Sequence, residues 1–165
     1  MKKAQVWSID FVVGLSLFSL LIVVTTYFLI NSNQDNSFEI MHREASYLSN
    51  TIISSGTPDE WNETTVIVPG ILSDGRLDFE KLAFLNSLSY ETLKSLYSVR
   101  ADFAFFFRNK TDYFEVGDQC SYGYNLPSID CIPDLSALNY DDLVVINRFI
   151  PINNSIKNVV LYVWT

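Results

Sequence analysis

The chain has 165 residues, 48% hydrophobic and 18% charged, which is enough apolar mass for one ordinary domain and excludes a disordered acidic tail. Its net charge of −8 lies almost wholly beyond residue 31 and would repel phosphate backbones and anionic headgroups, so direct nucleic-acid binding is not expected. No GxxxxGKS/T, HExxH or GxSxG pattern occurs, and any Ser-His-Asp arrangement would depend on the single histidine, His42. Neither an enzyme nor a cofactor site is expected, and Asp141-Asp142 read as a solvated turn.

The N-terminus carries the strongest signal. Lys2 and Lys3 precede Phe11–Ile30, a run of 20 residues without a charge. As a helix this run spans about 30 Å, the thickness of a bilayer's hydrocarbon core. Asp35 and Glu39 follow it, so retention of the lysines puts the N-terminus inside and the remainder outside. A secretory signal would have a shorter apolar core followed by a small-x-small cleavage site, and TTYFLINSNQDN contains no such site. Asp10 stands between the lysines and the apolar run, where a carboxylate is costly once it enters lipid.

The stretch Lys2-Lys3-Ala4-Gln5-Val6-Trp7-Ser8-Ile9-Asp10-Phe11 resembles the start of a type IV prepilin, with an archaeal kind of leader. The resemblance implies a cleavage before the apolar helix, so the helix stays in the product. Cleavage after Ala4 makes Gln5 the new N-terminus; cleavage after Gln5 makes it Val6 and places Asp10 fifth. It also implies a role for Asp10 in assembly, where its carboxylate would meet the free N-terminal amine of a neighbouring subunit inside an apolar bundle. Residues 57–107, from TPDEWN through VPGILSDGRLDFEKL to DFAFFF, are similar to poorly characterised archaeal pilin-like proteins. The implied organisation is a leader (1–4), a membrane or filament-core helix (5–30), its amphipathic continuation (31–56) and an extracytoplasmic head (57–165).

Phe38, Met41, Ala45, Leu48 and Ile52 form one apolar helical stripe, which predicts a helix packed on the head's own sheet and capped by Gly56. Two short helices are expected over 79–87 and 90–98, with Asp78 and Ser89 as N-caps and Leu82, Leu85, Leu88, Leu93 and Leu96 inward. Two hairpins follow. In the first, Asp102–Arg108 places Phe103, Phe105 and Phe107 on one face, and Tyr113–Val116 returns after Asn109-Lys110-Thr111. In the second, Leu143–Ile150 and Lys157–Trp164 flank Asn153-Asn154-Ser155. The expected class is α+β: the long helix on an antiparallel sheet of about four strands, with two short helices.

Cys120 and Cys131 bracket a turn-rich loop with Gly123 and Pro127, and outside the cytoplasm such a pair is expected to form a disulfide. A metal site is disfavoured, because His42 lies in the long helix. Three N-x-S/T sequons, at Asn62, Asn109 and Asn153, fall in expected turns beyond the membrane and are candidates for N-glycosylation.

Two functions fit this reading. One is a subunit of a type IV pilus-like filament, cleaved by a prepilin peptidase, assembled with copies or related pilins and displaying its head for adhesion. The other is an uncleaved, signal-anchored binding module at the cell surface. The first requires Asp10; the second is indifferent to it.

Overall fold

The computed structural model describes the backbone from Lys3 to Thr165 and the side chains of residues 9–30 and 38–165. It divides into two compact units, Met1–Ile40 and Met41–Thr165. The second is the head, and its class is the expected α+β.

Helix α1 runs Lys3–Ile52. In the head its stripe is buried at Met41, Ala45, Leu48 and Ile52, whereas Phe38, expected in the same stripe, is 47% exposed. The helix ends at Ile52, four residues before Gly56, which therefore does not cap it. The returning chain supplies the termination: the Ile71 N–H donates to the Ile52 carbonyl at 2.9 Å and the Leu72 N–H to the Ser54 carbonyl at 2.9 Å. These bonds occupy carbonyls that a helix C-terminus leaves free. Gly56, at φ +81°, instead turns the chain beside Trp61.

A two-strand ribbon follows, β1 (Leu72–Ser73) and β2 (Arg76–Leu77), closed by Asp74 and Gly75 with positive φ. Helix α2 (Phe79–Ser87) starts where Asp78 accepts from the Glu80 and Lys81 N–H groups, as its N-cap chemistry predicts. Helix α3 (Tyr90–Tyr97) starts at Ser89, which accepts from the Thr92 N–H, and stops at Ser98 in the left-handed region. Leu82, Leu85 and Leu93 are buried, while Leu88 and Leu96 are only half-buried.

The sheet comprises β3 (Asp102–Arg108), β4 (Tyr113–Phe114), β5 (Ser121–Gly123), β8 (Leu143–Ile152) and β9 (Ser155–Trp164); β6 (Ser128–Ile129) and β7 (Ile132–Pro133) form a separate ribbon. All pairings are antiparallel in the order β4-β3-β9-β8, and β5 joins the edge of β3 beside β4. The fifth strand is β5, formed inside the turn-rich cysteine loop. It approaches β3 so closely that a Cβ on Gly123, at φ +95°, would lie 2.8 Å from the Phe103 carbonyl oxygen. The second hairpin is longer than expected: its two-residue turn is Asn153-Asn154, both at positive φ, and Ser155 already pairs with Ile152.

Both faces of the central strands are buried. Phe103, Phe105, Phe107, Val159, Leu161 and Val163 face the main core with α1, α2 and α3. Ala104, Phe106, Val160, Tyr162 and Trp164 form a second core on the opposite face, closed by Leu126 and flanked by Leu135 and Leu138. The loop holding the two cysteines is therefore the lid of that second core.

Candidate functional site

The apolar segment is Ile9–Ile30, 22 residues, about 33 Å long at helical rise. It is long and apolar enough to cross a membrane. Its side chains are exposed all round, from Phe11 at 72% to Leu29 at 67%, so no polar face sets a direction for packing in water. The serine and threonine hydroxyls within it are satisfied by the helix itself. Ser16 donates to the Val12 carbonyl at 2.8 Å, Ser19 to Leu15 at 2.9 Å, Thr25 to Leu21 at 2.7 Å and Thr26 to Ile22 at 2.8 Å. These four groups need no outside partner and can sit in hydrocarbon without being stranded.

Asp10 lies one residue inside this segment and is exposed. It is the only charged residue in it. Lys2, Lys3, Ala4, Gln5 and Val6, the leader positions, lie outside the described side chains, and Asp35 does too.

Lys81, Glu44 and Arg148, which no local pattern singles out, tie the head's segments together. Lys81 is 4% exposed, and its Nζ donates to the carbonyls of Ser55 at 2.8 Å, Asp59 at 2.5 Å and Leu72 at 2.9 Å. One ammonium thus ties the exit of α1, the loop that follows and β1. Burial raises the Asp78 carboxyl pKa, but the Ser73 hydroxyl, the Lys81 and Glu80 N–H groups and the Lys81 charge outweigh that and hold it below the usual carboxylate range. Glu44 accepts from the Arg100 and Ala101 N–H groups at 3.2 and 3.4 Å, joining α1 to the start of β3. Arg148 on β8 donates to Ser49 and Asn50 of α1 at 3.2 and 3.0 Å.

Cys120 and Cys131 form a disulfide with a Cα–Cα distance of 4.9 Å. Among the described residues one group brings three possible metal ligands together, Glu115, Cys120 and Cys131, and both of its sulfurs are taken by that bond. The disulfide pins the lid whose Leu126 and Tyr124 cover the second core; the Tyr124 ring meets Trp164 edge-on at 5.5 Å. Replacing both cysteines by serine is expected to cost about 3 kcal/mol, from the loop-closure entropy restored to the unfolded chain. Denaturant titration of the oxidised parent against the double variant, followed by tryptophan fluorescence, measures it. A loss below about 1 kcal/mol would mean that the lid is held by packing alone.

The three sequons are exposed and lie in turns of the head. The Asn62 Oδ1 accepts from the Thr64 N–H, the Thr64 hydroxyl and the Thr65 N–H. The Asn109 Oδ1 accepts from Lys157 Nζ at 3.2 Å, and Asn153 opens the β8–β9 turn. Asp141 and Asp142 act through their backbone, exchanging hydrogen bonds with Thr165.

Burial raises the pKa of Tyr90, Tyr97, Tyr122 and Tyr162, and each of them sits in the packed head rather than in an open cleft. The Tyr122 hydroxyl donates to the Val116 carbonyl, and Tyr113 and Tyr162 share a hydrogen bond of 2.7 Å. His42 is on the exposed side of α1. Within the head, the disulfide and the three sequons stand in separate places, and Asp10 belongs to the other unit.

Compared with known proteins, the chain matches no family model, no curated protein and no solved structure.

Proposed function

We propose that the chain is a structural subunit of a type IV pilus-like filament rather than an enzyme. After a prepilin peptidase removes Met1–Ala4 or Met1–Gln5, the apolar helix leaves the bilayer and packs with copies or related subunits, while the head is displayed outside for adhesion. The observation that carries this reading is the apolar segment itself: exposed all round, internally satisfied in its serine and threonine hydroxyls, and carrying one charge, Asp10, next to its start. A helix bundle is as apolar as lipid, so the same surface serves in both places. Asp10 would be tolerable there only with its charge neutralised, and a neighbour's free N-terminal amine supplies that partner. The basic Lys2 and Lys3 place the N-terminus on the cytoplasmic side in this reading.

The experiment is the intact mass and N-terminal sequence of the protein recovered from its native surface fraction, for the parent and for Asp10→Ala. The expected result is a chain starting at Gln5 or Val6, with Asp10→Ala processed normally but absent from sheared filaments. A parent chain still starting at Met1 would overturn filament assembly and leave a permanently anchored surface module.

A further inference from the structure

A groove of about 380 Å³ opens where the β8–β9 turn meets β2 and the first residue of α2. Arg76 is the only charged residue in its lining, in a protein whose net charge is −8. Arg76 is exposed, and no hydrogen bond or ion pair engages its guanidinium among the described residues. The side chains of Asn153 and Asn154, held outward by two consecutive left-handed residues, likewise make no hydrogen bond to the chain. Between these polar groups stand two apolar ones that the fold leaves uncovered: Phe79, 49% exposed, and Ile156, 73% exposed. Of the acids nearby in sequence, Asp74 lines a different cleft, Asp78 is engaged by the Ser73 hydroxyl and the first N–H groups of α2, and neither these nor Glu80 lines the groove.

We propose that this groove binds a small monocarboxylate with an apolar face, of the uronic-acid sugar class. Arg76 receives the carboxylate through two parallel N–H donors, a geometry that its planar fork matches. The amides of Asn153 and Asn154 take hydroxyl groups, and Phe79 and Ile156 cover the apolar side of the ring. The charge count selects a carboxylate over a phosphate ester. One guanidinium balances a single negative charge, whereas a dianion would carry an uncompensated charge into the field of an acidic protein. Asn153 is also a sequon, so a glycan attached there would fill the same space; sequon occupancy and ligand binding exclude one another. The inference does not depend on whether the chain is a cleaved subunit or a permanent anchor.

The test uses the full chain in detergent micelles, from a host that does not glycosylate, with amide NMR shifts followed on addition of galacturonate. Binding is expected to be saturable and weak, on the order of 1 mM, with shifts confined to residues around Arg76, Phe79 and Asn153. Galactose, which lacks the carboxylate, and the exposed-site variant Arg76→Gln should each weaken binding about tenfold or more. A galacturonate oligomer binding more tightly than the monomer assigns the ligand to the end of an acidic polymer; equal affinity assigns it to the free sugar acid. Equal binding of galactose, unchanged affinity in Arg76→Gln, or displacement by equimolar inorganic phosphate would overturn the proposal.

Discussion

Lys81→Met is expected to destabilise the head by about 3–5 kcal/mol, because it strands backbone carbonyls that have lost their charged donor. Methionine keeps most of the lysine stem's volume, so the packing loss is small and the measurement isolates the ammonium. That ammonium meets three carbonyl oxygens within 2.5–2.9 Å, contributed by residues 55, 59 and 72. These positions belong to three chain segments with no other cation buried among them; Lys81 is the only charged residue of the buried set among the described residues. Each acceptor left dry costs roughly 1–3 kcal/mol, against which the relief of burying a neutral side chain is a partial offset. Denaturant unfolding of the full chain, read by fluorescence, tests this, since Trp61 lies in the same region and donates to the Gly70 carbonyl at 2.9 Å. A change under about 1 kcal/mol would show that water replaces the ammonium at the carbonyls.

Phe105→Ala is expected to cost a similar amount, about 3–5 kcal/mol, for a different reason. Phe105 is 0% exposed on the central strand, stacked on Tyr122 at 5.2 Å and edge-on to Phe107 at 6.0 Å. Removing the ring leaves a cavity lined by other rings on a strand paired along both edges, where the backbone has little room to collapse. The control is Phe149→Ala on β8: Phe149 is 70% exposed, and its loss should change stability by no more than about 0.5 kcal/mol. Equal effects at the two positions would mean that the sheet is not oriented as described.

The contrast between those two phenylalanines marks the reach of sequence patterns. Alternation in Asp102–Arg108 correctly put Phe103, Phe105 and Phe107 on one face, because side chains in a strand point to opposite sides with period two. The same alternation left Phe106 and Ala104 facing outward, where an ordinary one-sided sheet would meet water. Their burial depends on a lid some twenty residues further on, which no local period encodes. Strand β5 was hidden for a related reason: three residues, Ser121–Gly123, carry too few side chains to show a period, and it forms only because β3 offers an unpaired edge.

Local chemistry settled the apolar membrane-length helix, the Asp78 and Ser89 caps, the hairpin around Asn153-Asn154 and the class of the fold. Each of these is decided by neighbours within a few residues or by one continuous hydrophobic run, which is why the sequence alone determined them. Only the tertiary structure decided where α1 stops, what Lys81 holds, which core the cysteine loop covers, and that Arg76, Phe79 and Asn153 line one groove. Those outcomes join segments many residues apart, and long-range packing and the pairing of buried backbone groups leave no spacing in the chain from which to read them.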